Sequence, residues 1–165
     1  MTTKKLFSKN RLAIFDANGF YAQVETIHRP ELRVEPIAIL GNTGGIVIAA
    51  SKEAKDLDVD IGVTAWEIKI VSNGSHIYVY SANFETYAYY SRLLFAELRN
   101  HTPFLKIYSI DEGFMDINHI QLEDRLKFGI NLVSEVERCT RIRGCVGIAP
   151  NITLMKIAVK IAKKN

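Results

Sequence analysis

The order of apolar runs in this sequence predicts an α+β fold in which a mixed or antiparallel sheet is backed by helices. Three observations carry that prediction. From residue 76 onward the runs read strand, helix, strand, strand, helix, strand, helix. A further strand, 11–16, is available to join their sheet. The helix beginning after Asn83 sets Phe84, Tyr87, Ser91, Leu94 and Leu98 on one face. This is the element order of a ferredoxin-like arrangement, with segment 20–75 inserted beside it as a small subdomain.

Each element has a local reason. Residues 1–10 are a polar, basic leader without the apolar centre of a signal peptide. Strand 11–16 is the apolar run Arg11 to Asp16, and a helix from Phe20 to about His28 is closed by Arg29-Pro30. Pro36 to Leu40 and Gly45 to Ala50 read as strands joined by a glycine-rich hairpin turn. That turn lacks the Gly-Lys-Ser/Thr ending of a phosphate loop. Ser51 caps a short helix over 52–57, and Gly62 ends the turn that follows. Residues 67–71 are a short helix or an irregular segment, and Ser72 to Ser75 is a turn. A strand over 76–80 leads to Asn83, which caps the long helix that Pro103 stops. Strands 106–110 and 113–117 meet at Asp111-Glu112-Gly113. A helix over 122–138, a strand over 144–149 and a last helix over 153–164 complete the chain.

Composition narrows the function classes. The 165 residues are 48% hydrophobic with a formal net charge of +3, and mean hydropathy is +0.03 with a pI near 8.8. These values fit a globular protein whose charge permits a nucleic-acid partner without demanding one. No apolar run approaches the roughly 20 residues that span a bilayer, so the expectation is a cytoplasmic protein with no membrane partner. Cys139 and Cys145 make no metal spacing with the four histidines and read as reduced thiols.

Adjacent Asp111 and Glu112 are the chemical signal. A hairpin does not need two carboxylates there, and they repel each other unless a cation or water offsets the charge. Alone they also read as an acidic turn in solvent. A third carboxylate is available at Asp16. If strands 11–16 and 106–110 lie side by side, Asp16, Asp111 and Glu112 converge at one sheet edge. Hard oxygen donors without His or Cys suit Mg²⁺, and two such ions activate a hydroxyl and stabilise a leaving pyrophosphate.

Four stretches carry a resemblance: Asp16-Ala-Asn-Gly-Phe-Tyr-Ala-Gln-Val-Glu25, Tyr80-Ser-Ala-Asn-Phe-Glu-Thr-Tyr87, Tyr108-Ser-Ile-Asp-Glu112 and Gly144-Cys-Val-Gly-Ile-Ala149. In this order they resemble the Y-family translesion DNA polymerases, most of all the UmuC-type branch, from Arg11 almost to Lys164. The resemblance implies a ferredoxin-like palm over 11–19 and 76–165, with residues 20–75 as a fingers-like insertion. It also implies that the thumb and little-finger domains are absent. The implied activity is DNA-templated nucleotidyl transfer in translesion synthesis and SOS DNA repair. Asp16, Asp111, Glu112 and the Ala17 carbonyl are implied to hold two Mg²⁺ ions with a dNTP. Phe20 and Tyr21 fall at the nucleotide, Tyr21 as a steric gate against a ribose 2′-OH, although the residue pattern alone places Phe20 in the core. Lys55 and Lys163 are implied triphosphate contacts, and Lys156 and Lys160 face the DNA backbone. Implied partners are a primer–template, dNTP and a UmuD-like accessory subunit.

The lysine residues have an ordinary reading too. Lys156, Lys160, Lys163 and Lys164 lie along one face of the last helix, opposite Leu154, Ile157, Ala158 and Ile161, as a solvated stripe would. Departures from the family pattern are Asp58 and Asp60 where Gly and Lys are common, Thr64 for Pro, Tyr89-Tyr90, and Ile152 for Lys. They touch nucleotide grip and leave the three acids intact. The expectation is therefore a polymerase fragment that is weak or inactive alone. The alternative is a non-catalytic remnant that binds DNA, nucleotide or a polymerase partner. A nucleotidyl cyclase is disfavoured, because no Gly-Gly-Asp/Glu-Glu-Phe motif is present.

Overall fold

A computed structural model describes residues 12–42 and 45–163. The polar leader 1–10, Arg11 at the start of the first strand, and Lys164 at the end of the lysine stripe lie outside the described residues. The chain divides into two compact units, one formed by Met1–Asn18 with Tyr89–Asn165 and the other by Gly19–Ala88.

The first unit is built on a four-stranded sheet of β1 (Leu12–Ala17), β5 (Leu105–Ile107), β6 (Glu112–Asp116) and β7 (Gly144–Ala149), in the order β5-β6-β1-β7. The pairs are antiparallel. Strand β1 lies between β6 and β7 and is almost wholly buried, with Ala13, Ile14 and Phe15 at 0% exposure. That explains its unbroken apolar run: a central strand covered on both faces has no polar side to alternate with. The neighbour of β1 is β6 and not the 106–110 strand. Gly113, Phe114 and Met115 of β6 are buried, whereas Lys106 and Ile107 are exposed and suit an edge.

Helices cover both faces of this sheet. On one side, Gly113 gives room to the Phe95 ring of α4 (Phe84–Arg99), because a Cβ there would come within 3.0 Å of it. Gly129 of α5 (Arg125–Thr140) lies over Val146 and Ile148 of β7 on the same side. On the other side, α6 (Ile152–Ala162) packs Met155 and Val159 against Leu12, Ile14 and Phe114. Asn151 caps α6 by accepting from the Leu154 N–H. The face of α6 differs from the sequence expectation. Leu154, Ile157 and Ile161 are exposed, and Met155 and Val159 point at the sheet. Gly147 decides this, since its missing side chain lets the Met155 backbone approach β7.

The second unit holds a three-stranded sheet, β3-β2-β4, of β2 (Ile37–Leu40), β3 (Val47–Ala50) and β4 (Tyr78–Ser81). Strand β4 runs parallel to β2, so the 76–80 run, expected to open the four-stranded sheet, belongs to this one. Its alternating exposure fits an edge strand on a small sheet. The remaining helices are α1 (Phe20–Thr26), α2 (Lys52–Lys55) and α3 (Ile68–Val71). Ser51 ties α2 to the sheet: its Oγ accepts from Ala54 and Ile37 N–H and donates to the Glu35 carbonyl. Asp58 takes φ 61°, the left-handed conformation that glycine adopts at less cost. Among the described residues no helix is long and apolar enough to cross a membrane.

Candidate active site

The β1–β6 register brings two of the three acids together. Asp16 and Glu112 are paired residues of that ladder, and directly opposed side chains share one face of a sheet. Asp111 lies just before β6, in the bend that joins it to β5. Its carbonyl accepts from the Ala17 N–H at 3.1 Å, which fastens the bend to the end of β1. Asp16, Ala17, Asp111 and Glu112 therefore lie near one another at one end of the β1–β6 ladder, through β6 and not through the 106–110 strand.

Two serines shape the bend. Ser109 donates its hydroxyl hydrogen to Asp111 Oδ1 at 2.8 Å and accepts from the Glu112 N–H at 3.1 Å. Ser91, buried on α4, donates to the Ile110 carbonyl at 2.6 Å. The sequence reading missed both. Ser109 had a local signal, a serine two residues before an acid at a turn. Ser91 had none, because its partner is distant in sequence.

Charge in the cluster is partly offset from α6 and the residue after it. Lys163 Nζ lies 2.5 Å from Asp16 Oδ1 and 3.5 Å from the Ala17 carbonyl oxygen. Lys156 Nζ lies 3.3 Å from Glu112 Oε2 and 4.3 Å from the centroid of the Tyr108 ring. That ring is 58% exposed and meets Phe114 edge-on. Lys156 is thus bound to the acid cluster and is not a solvated stripe residue, while Lys160 is exposed. Burial, and then the nearby Asp16 carboxylate, push the Asp111 and Glu112 carboxyls above their usual range, against the opposing pull of the Ser109 and Lys156 bonds. The cluster favours added positive charge.

The donor set suits a hard divalent cation: oxygen atoms only, in excess of negative charge. Among the described residues, no three His, Cys, Asp or Glu side chains are gathered as a ready-made metal cage. Asp16 and Glu112 are instead turned to lysine ammonium groups and Asp111 to the Ser109 hydroxyl, so the set fits such an ion once those bonds open.

Phe20, Tyr21 and Lys55 belong to the unit Gly19–Ala88. Phe20 is 3% exposed, so its side chain is core, where the residue pattern alone places it. Tyr21 is half-buried and stacks on Tyr87 with ring centroids 4.3 Å apart. Tyr87 is fully buried, and its hydroxyl donates to Glu25 Oε1 at 2.7 Å. Burial and that bond raise the Tyr87 phenol, keeping it a donor. Lys55 pairs at 3.5 Å with Asp60, one of the departures from the family pattern.

The four-stranded sheet thus carries opposed acids at one end of its two central strands, with helices on both faces. The model of the impB/mucB/samB family matches residues 15–160, and the chain belongs to that family. It is 38% identical over 153 residues to the protein UmuC of Salmonella typhimurium, covering 92% of this chain and 36% of that one. It is 34% identical over 152 residues to DNA polymerase IV 1 of Bacillus subtilis, covering 90% and 36%. The fold matches DinB from Sulfolobus solfataricus with a TM-score of 0.84 at 24% identity, over 92% of this chain and 45% of that one. A ternary complex of Dbh, with substrates partially disordered, matches with a TM-score of 0.82 at 25% identity over 91% and 45%. The chain spans little more than a third of the curated relatives it matches.

Proposed function

We propose that this chain is the palm and fingers portion of a translesion DNA polymerase and that its chemistry is DNA-templated nucleotidyl transfer. The observation that carries this reading is the Asp16–Glu112 pairing with Asp111 fastened to Ala17. Asp16, Asp111, Glu112 and the Ala17 carbonyl would hold two Mg²⁺ ions. When bound, these ions lower the pKa of the attacking hydroxyl and offset charge on the leaving pyrophosphate. The chain's own residues position them: Ser109 orients Asp111, and Lys156 orients Glu112. Lys163 is a triphosphate contact once it leaves Asp16, and Lys55 is assigned the same role by its motif position. Tyr21, held against Tyr87, selects deoxyribose. Lys160 faces the DNA backbone; Lys156 joins it only if it parts from Glu112. In domain terms, the palm, read from the sequence as 11–19 and 76–165, is assigned to the unit of Met1–Asn18 with Tyr89–Asn165, and the fingers-like insertion to Gly19–Ala88. Primer–template and dNTP are the substrates, and a UmuD-like subunit is the protein partner.

A non-catalytic remnant is the second reading, favoured by one observation. Lys55, Lys156 and Lys163 are each engaged by a carboxylate of the chain itself. Calorimetry separates the two. The polymerase reading expects dNTP binding that needs Mg²⁺ and is lost in Asp111→Asn; binding without Mg²⁺, or indifferent to that substitution, favours the remnant.

A further inference from the structure

We infer that Lys163 competes with the metal ion for Asp16, so that nucleotide-free protein resists free divalent cations and accepts them only as the lysine is drawn away. The inference rests on the carboxylate reading above and adds its control. Lys163 Nζ bonds Asp16 Oδ1 and approaches the Ala17 carbonyl oxygen. Those are two of the oxygens assigned to the cation. An ammonium on these oxygens competes with a divalent ion for them, because a Mg²⁺–oxygen bond is only about 2.0–2.1 Å long and the two charges repel.

The lysine can move. It follows the last residue of α6, and its side chain is 33% exposed. Leaving Asp16 costs an ion pair unless another anion takes the ammonium, and a triphosphate is such an anion. The second lysine does not fill the same role. Lys156 is directed to Glu112 and held over the Tyr108 ring. Metal and nucleotide are therefore coupled through one side chain, each raising affinity for the other. A residue that merely braced the site would weaken metal binding when removed. Here the opposite sign is expected.

The test is Mn²⁺ binding to the 165-residue chain without nucleotide, read from the electron paramagnetic resonance of free Mn²⁺. Lys163→Met is expected to tighten binding by roughly 5-fold or more, the lower end of ordinary coupling factors. In the same variant, affinity for a dNTP is expected to fall. Lys163→Arg restores a cation and should return Mn²⁺ affinity toward that of the parent. Adding Asp111→Asn to Lys163→Met should abolish the gain. Equal, weaker or undetectable Mn²⁺ binding in Lys163→Met overturns the inference. If Asp111→Asn still weakens parent binding in that case, the carboxylate reading stands without it. Mn²⁺ binding that is tightened by Lys163→Met yet indifferent to Asp111→Asn overturns both.

Discussion

Asp16 and Glu112 stand opposite one another across the β1–β6 ladder, two carboxylates on the same face of one sheet. Like charges so placed destabilise a sheet, and this pair persists beside two lysines, Lys163 on Asp16 and Lys156 on Glu112. The site is thus a compromise between folding and the chemistry proposed for it, and that compromise can be measured.

Asp111→Asn is expected to be at least as stable as the parent at neutral pH without ligand. Burial and the Asp16 charge hold the Asp111 carboxyl above its usual value of 3.8. Folding therefore favours its protonated form. The stability this gives is full below that value and is lost as pH rises through the folded-state pKa. The asparagine carries no such loss, so its melting temperature should gain on the parent's as pH rises above that value. Mg²⁺ with dNTP should reverse the order, because a ligand at 100 times its Kd adds about 2.7 kcal/mol to the parent alone. Thermal melts across pH, with and without ligand, check both signs.

Ser109→Ala removes the hydroxyl that holds Asp111 Oδ1 and the Glu112 N–H. The expected cost is about 1 kcal/mol of stability and roughly 10-fold or more in Mn²⁺ affinity, as for other groups that orient a metal ligand. Ser109→Thr keeps the hydroxyl and should restore the affinity. Loss of stability with unchanged Mn²⁺ affinity would return Ser109 to a turn residue.

Tyr21→Ala should narrow the preference for dNTP over NTP, measured as the ratio of binding constants. Tyr87→Phe keeps the ring under Tyr21 and removes the bond to Glu25. It should cost about 1.5–3 kcal/mol, the range for a hydrogen bond to a charged group, while leaving sugar preference nearly unchanged. Equal discrimination in Tyr21→Ala and the parent would place Tyr21 in the ordinary core.

Two glycines are expected to respond in opposite directions to alanine. A Cβ at Gly147 would collide with the Met155 carbonyl oxygen and lie 2.8 Å from Val159 Cγ2, so α6 must lift from β7. Overpacking of this kind costs about 1–3 kcal/mol, and it should also loosen both lysines carried at that end of the chain. At Gly129 the nearest side-chain atoms are 3.8 Å away. Alanine inside α5 should therefore stabilise by up to about 1 kcal/mol. Denaturant midpoints for the two variants decide the matter.

Much of the fold was legible in local pattern. The apolar run ending at Asp16, the Ser51 and Asn83 caps, the face of Tyr87, Ser91, Leu94 and Leu98, and the strand 144–149 are each set by neighbours within a few residues. The acids stood out because adjacent Asp111 and Glu112 have no local reason to be there. The left-handed turn at Asp58 could also be anticipated, since an aspartate tolerates it.

Strand partners were decided only by tertiary structure. Strand β1 had three possible neighbours of similar character, and the choice of β6 depends on how Gly113, Phe114 and Met115 bury against both layers of helix. The destination of β4 was hidden for the same reason: a run of four residues pairs with whichever edge the surrounding core presents. The lysines show the limit most clearly. Their spacing on α6 reads as a solvated stripe, because spacing states which residues share a face and not what that face meets. The close approach of the Met155 backbone to Gly147 sets the rotation of α6, and it turns Lys156 and Lys163 onto Glu112 and Asp16. A sequence pattern specifies periodicity along one element; the position of charge relative to charge depends on packing between elements.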